Sequence, residues 1–224
     1  HINSRDALRS LEALLPNAIK SVHTADNSEP LLNTHDPKGL TVNIPSLQAA
    51  AHASGHINIS PDADGTLRRV ALAVRYQGRF FPSADLQAAR MLLGMPELAI
   101  NTASYGITGI ELGKQLLPTD AEGNILISYY GPARTFPTHS AIDVLEGRAN
   151  IKLLKDRVVL IGPTAKGIGD IRVTPYSPVF PGVEVRASVV QNLLDGSFRY
   201  RPEWLQLAES AALILCGLLL ALTL

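Results

Sequence analysis

Net charge is the first thing this chain lacks: 20 Lys and Arg balance 20 Asp and Glu over 224 residues. A balanced chain has no long-range field with which to gather DNA, RNA or anionic lipid, so no nucleic-acid partner is expected. Cysteine is almost absent as well. The one thiol, Cys216, sits in an apolar run near the end of the chain. That excludes an internal disulfide, a cysteine-rich zinc site and a Cys/His catalytic pair in the rest of the sequence. The opening "HINSRDALRSLEALLP" has neither the basic flank nor the continuous apolar core of a signal peptide. Internal repeats of solenoid length are missing too.

What is present is enough apolar sequence for a sizeable core, 46% hydrophobic against 18% charged. Ala7, Leu8, Leu11, Leu14 and Leu15 recur at helical spacing, which predicts a helix over 5–15 ending at Pro16. Loops with one short strand follow to Leu40. Ser46 is expected to cap an alanine-rich helix that stops at Gly55. Alternation on both sides of Asp64-Gly65 predicts a β-hairpin. "FFPSADLQAARMLLG" reads as a strand end, a Ser83 cap and a helix closed by Gly94. A second hairpin is expected with its turn at Glu122-Gly123-Asn124, and a short helix from Ser140 to Gly147. "DRVVLIG" has the unbroken apolar character of a strand buried on both faces. "PGVEVRASVVQNLLDG" places Val183, Ala187, Val190 and Leu194 on one helical stripe, with Gly196 as the stop. The interleaving predicts an α/β fold, a mixed β-sheet with flanking helices and β-hairpins, followed by the start of a transmembrane helix.

That last element is read from "WLQLAESAALILCGLLLALTL", in which no residue from Ala211 to Leu224 is charged. A membrane span needs roughly 20 such residues. Pro202 and Trp204 would stand at the water interface, where amphipathic rings are favoured. The expected division is a domain over 1–201 that lacks its N-terminal part, and a truncated membrane helix over 202–224. Arg199 and Arg201 precede that helix and by the positive-inside tendency favour the cytoplasmic side, a tendency that is weak for large translocated domains.

Several chemistries can be tested against the residues. Gly162 and Gly167 have P-loop spacing, but Ile168 and Gly169 occupy the places where Lys and Ser or Thr would hold phosphate and magnesium. Gly167-Ile168-Gly169 leads to Thr174-Pro175 and opens no dinucleotide-binding helix. No nucleotide or other cofactor is expected. "DADG" resembles the opening of a calcium loop, yet Gly65 comes too early and no glutamate closes it. His52 and His56 have the i, i+4 spacing of zinc ligands, with Gly55 between them and no acidic partner in place, so no metal is expected. No G-x-S-x-G elbow occurs. Glu111, Asp120, Glu122 and Asp143 are scattered at turns and helix ends and make no acid/base pair. What remains is a strand-to-helix turn in which Asp170, Thr174 and Glu184 border the sheet edge where open α/β sheets bind ligands.

Three stretches together resemble one family. "IPSLQAAAHASGHINISPDADGTLRRVALAV", "ISYYGPARTFPTHSAIDVLEG" and the segment from Leu154 to Trp204 are similar to the second type of CHASE domain. The most specific parts are the D-x-D-G-x-x-R run at Asp62, Asp64, Gly65 and Arg68, and the run from Ile161 to Asp170 that continues into Thr-Pro and Pro-Gly-Val-Glu. The likeness covers residues 43–224. It implies an extracytoplasmic sensor joined through membrane helices to a cytoplasmic adenylate or guanylate cyclase, a histidine kinase or a diguanylate cyclase. The expected partners are a lipid bilayer, an unknown small-molecule or protein stimulus and a second copy of the chain in a homodimer. Candidate ligand-binding residues are Asp170, Thr174, Glu184, Asp62, Asp64 and Arg68, with Pro202 and Trp204 coupling the signal to the membrane. Two other classes stay open at this point: a membrane-tethered enzyme using Asp170, Glu184 and His139, and a module that only dimerises.

Overall fold

The computed structural model describes residues 11–25, 39–164, 170–197, 199–200 and 204–223. The predicted first helix is described only over its last part: α1 covers residues 11–14 and tightens into a 3-10 turn, Leu15–Asn17, with Pro16 inside it. The chain then enters β1 (Ser21–Thr24), which runs parallel to β5 (Leu98–Ala103) with Ser21 opposite Ala99. β6 (Gly106–Leu112) and β7 (Gln115–Pro118) add antiparallel strands, giving a mixed sheet in the order β1-β5-β6-β7. The predicted α/β class with a mixed sheet is what forms.

Two short ribbons flank this sheet. β3 (Ala73–Tyr76) and β4 (Arg79–Pro82) form a tight hairpin on Gln77 (φ 48°) and Gly78 (φ 76°), the left-handed pair of a type I′ turn. β2 (Arg69–Ala71) pairs with β8 (Asn124–Leu126), Val70 opposite Ile125. Both expected hairpins change accordingly. A turn does form at Asp64-Gly65, but its two arms do not pair, because Pro61 has no N–H to give a ladder and β2 is taken by β8. A turn also forms before Asn124, yet β7 goes to β6 and β8 to β2.

The helices show which local signals decide a boundary. α3 (Ala84–Leu92) starts as expected, with the Ser83 hydroxyl accepting from Leu86 N–H at 3.1 Å. α2 (Pro45–Ala50) instead begins behind Ile44 with Pro45 at its first position, and it ends well before Gly55. Gly55 lies against the start of α3, where a Cβ would collide with the Ser83–Ala84 backbone. α4 (Ala141–Leu145) follows Ser140, which makes no side-chain cap. α5 (Gly182–Asp195) ends on Gly196 as predicted.

Its buried face is rotated from the predicted stripe. Val185, Val189 and Leu193 are essentially inaccessible, whereas of the expected four only Val190 is buried. Val183 and Val185 are equally apolar, so periodicity alone permits two stripes. Contact with α3 and the core selects one. That core is a single cluster in which Leu67, Leu72, Leu86, Ile100, Ile110, Ile125 and Phe180 are closed off from solvent.

The largest correction concerns "DRVVLIG". Residues 157–164 form no strand, and Val159 and Ile161 are exposed. A strand buried on both faces needs neighbours on both sides. Among the described residues no strand pairs with this segment, and the parallel pairing in the sheet is made by β1 with β5. The short ribbon of β9 (Ile171–Arg172) and β10 (Phe180–Pro181) then leads straight into α5.

α6 (Trp204–Thr223) is the predicted apolar helix, exposing Leu213, Ile214, Leu218 and Leu222. Among the described residues no helix is long and apolar enough to cross a membrane. The expected start of a transmembrane helix is therefore met only by a helix whose first turns carry Gln206, Glu209 and Ser210.

Candidate functional site

The D-x-D-G-x-x-R run folds into one closed turn. Asp62 N–H donates to Thr66 O at 3.0 Å and Gly65 N–H to Asp62 O at 2.8 Å, with Gly65 in the left-handed region at φ 80°. Asp64 steadies the turn by accepting from Thr66 N–H at 2.9 Å. Arg68 emerges on the far side and reaches back. Its guanidinium donates to both Asp64 carboxylate oxygens, at 3.0 and 2.7 Å, and to Asp62 Oδ2 at 3.0 Å. This fork is the geometry that an arginine makes with a carboxylate and a lysine does not. The Arg68 hydrogen bonds, then the Thr66 N–H, hold the Asp64 carboxyl well below the usual carboxylate range.

The network continues through a residue that the sequence pattern did not single out. Arg69, at the start of β2, lies 3.2 Å by Nε from Asp62 Oδ1 and 3.7 Å from Asp120 Oδ2. Asp120 is itself tied to the next turn, accepting from Glu122 N–H at 3.1 Å and from Asn124 N–H at 2.8 Å. The β2–β8 pairing brings these two acidic turns together. Beside them opens a cleft of about 260 Å³ lined by Asn58, Ser60, Asp62, Arg69, Glu122 and Asn124, among others. Its walls offer carboxylates, one guanidinium, two amides and a hydroxyl. Such a lining can orient a small polar molecule by several hydrogen bonds. No nucleophile and base are paired in it.

Asp170, Thr174 and Glu184 are placed differently. Each is engaged within its own neighbourhood. Asp170 accepts from Arg172 at 3.0 Å, and Gly182 N–H donates to the Asp170 carbonyl at 2.9 Å. Thr174 is buried, its hydroxyl donating to Ser177 O at 3.1 Å. Glu184 is buried on the first turn of α5 and accepts from the Arg134 N–H at 2.6 Å. The residue bridging the two regions is Leu67: its N–H donates to Val173 O at 2.8 Å, and its carbonyl accepts from the Tyr129 hydroxyl at 2.8 Å. Tyr129 stacks edge-on against Tyr176 and Phe180, and burial pushes the pKa of its phenol up.

The remaining candidates are scattered. His139 is exposed. His52 and His56 both lie past the end of α2 and do not share a helix face. Trp204 is exposed at the start of α6, while Pro202 and residues 165–169 of the glycine loop lie outside the described residues. The signal for Arg69 and Asp120 was present as a second arginine after the turn and a second acidic turn, but only the β2–β8 pairing makes them neighbours.

The model of one family, the CHASE2 domain, matches residues 3–223. The chain belongs to the CHASE2 family. The match starts near the beginning of the chain, well ahead of the residues whose likeness is legible by eye. CHASE2 domains are extracytoplasmic sensory domains of signalling proteins and are not catalytic. No curated protein and no solved structure matches the chain. In this CHASE2 domain the carboxylates of Asp170 and Glu184 are engaged by hydrogen bonds, and the cleft at Asp62 and Arg69 is lined by groups of mixed polarity.

Proposed function

We propose that this CHASE2 domain senses a small polar stimulus at the Asp62–Arg69 cleft of a membrane-bound receptor. The signal passes along α5, through the junction at Pro202 and Trp204, to α6. A cytoplasmic output domain then answers it, an adenylate or guanylate cyclase first and a histidine kinase or diguanylate cyclase next. α6 lies in the bilayer, where its exposed leucines replace contact with water by contact with lipid. The receptor works as a homodimer, in which a change in α5 packing biases two apposed membrane helices at once.

The observation that carries this reading is the family match across residues 3–223, which spans both the folded body and α6. The cleft adds a place for the stimulus that is not used by the fold. The β2–β8 ribbon and its two acidic turns form the cleft wall, so an occupant contacting Arg69 and Asn124 bears on the junction of both ribbons with the core.

The test reads the side of the membrane directly. With Cys216→Ser in place, Ser60→Cys puts one thiol on the cleft rim. A membrane-impermeant maleimide should label it in intact cells as fully as after lysis. Labelling that requires lysis overturns the extracytoplasmic placement.

A further inference from the structure

His56 lies between α2 and β2, beside the start of α3, and its backbone is pinned on both sides. Its N–H donates to Pro82 O at 3.0 Å and its carbonyl accepts from Ala84 N–H at 2.9 Å. Its imidazole is in a different situation. Both ring nitrogens are closed off from solvent, and neither has a hydrogen-bond partner among the described residues. An imidazole so placed is tolerated only in its neutral form, since a buried charge without a partner is far costlier than a buried neutral ring.

The charge that faces this ring is positive. Arg186 comes from the second turn of α5, and its guanidinium donates to Asp85 Oδ2 at 2.6 Å and to the carbonyl of Ile57, next to His56. Asp85 belongs to the first turn of α3 and is 2% exposed. The end of β4 and Ser83, which also pack here, contribute no charge. One arginine thus ties three segments together: α5, α3 and the stretch at His56 and Ile57.

We propose that His56, Arg186 and Asp85 form an acid-sensitive latch between α5 and the body of the domain, closed while His56 is neutral and opened when the ring takes up a proton. Protonation would set an imidazolium beside the Arg186 guanidinium with no carboxylate left to compensate it, because Asp85 is already committed to Arg186. The ring and the arginine cannot then both stay buried. Loosening of α5 follows, and α5 is the helix that leads to α6. This inference rests on the sensory reading only in treating the open latch as a signal.

Burial first, and Arg186 second, lower the His56 pKa from 6.5 to about 4. The open form regains the ordinary value and binds a proton that the closed form refuses. Opening is therefore favoured as pH falls from 6.5 towards 4, by about tenfold per unit at most. Asp85 acts against this at the acid end. Burial pushes its carboxyl up while Arg186 opposes the rise, so a proton retained on closed Asp85 flattens the curve.

Amide hydrogen exchange on the whole chain tests the latch. After correction for intrinsic rates, the Ala84 and His56 amides should open up to about twentyfold more at pH 5 than at pH 7, while the β5–β6 amides change far less. His56→Gln should abolish the difference, with His56→Phe as the second variant if the first does not fold. An equal pH response in the variants, a uniform response across the sheet, or a His56 imidazole that titrates near 6.5 by NMR overturns the proposal. None of these outcomes touches the sensory reading, which stands or falls on the membrane-side labelling.

Discussion

Arg186 of α5 and Asp85 of α3 are paired at 2.6 Å across 101 residues of sequence, with the carboxylate side chain 3% and the guanidinium side chain 14% accessible. Removing one partner of such a pair leaves the other charged and buried. Asp85→Leu and Arg186→Met should each cost about 3–5 kcal/mol, while the double replacement costs clearly less than the sum. Urea unfolding of the four proteins measures this. Additive losses would mean that the pair is not coupled.

α5 offers a second comparison, between adjacent leucines. Leu193 is fully buried, and Leu194 packs only partly against the core. Leu193→Ala should lose about 2–5 kcal/mol, with Leu194→Ala well below that. The sequence stripe through Val183, Ala187 and Leu194 predicts the reverse order, so thermal or urea melts of the two variants decide which face of α5 is inward.

These two relationships show what a sequence reading reaches. Signals carried within a few residues were legible: the Ser83 cap, the Gly196 stop and the turn at Asp64-Gly65. Relationships set by distant pairing were not. Nothing near Asp62 announces that β8 will bring Asp120 to Arg69, and nothing near Ser83 announces that Asp85 will meet Arg186. The run at Val158–Ile161 failed for a related reason. Apolar composition describes what a central strand needs, but a strand exists only where another strand offers it hydrogen bonds.

Gly182 illustrates a constraint that only the packed structure exposes. A Cβ at this position would overlap the Asp170 carboxylate, which is held by Arg172. Gly182→Ala should therefore destabilise the domain by about 1–3 kcal/mol, despite the better helix propensity of alanine. Adding Asp170→Ala should recover part of the loss by making room. If Gly182→Ala is neutral or stabilising in a urea melt, the carboxylate moves aside freely and the turn is looser than its hydrogen bonds imply.

The Asp64–Arg68 fork leads to a pH prediction with a definite sign. Arg68 holds the Asp64 carboxyl below its ordinary value of 3.8, so the folded state gives up this proton more readily than the unfolded chain. The fork's contribution to stability is accordingly present above 3.8 and is lost as the pH falls below it. Arg68→Lys keeps the charge but not the two-pronged contact. In the lysine variant the Asp64 carboxyl should titrate at higher pH, closer to 3.8, when followed by its side-chain carbon resonance. The acid limb of the stability curve should also become shallower below about pH 4, because the folded and unfolded values draw together. Superimposable Asp64 titrations in the two proteins would mean that charge alone, and not the fork, lowers the carboxyl, and that the arginine at this place in the turn is replaceable.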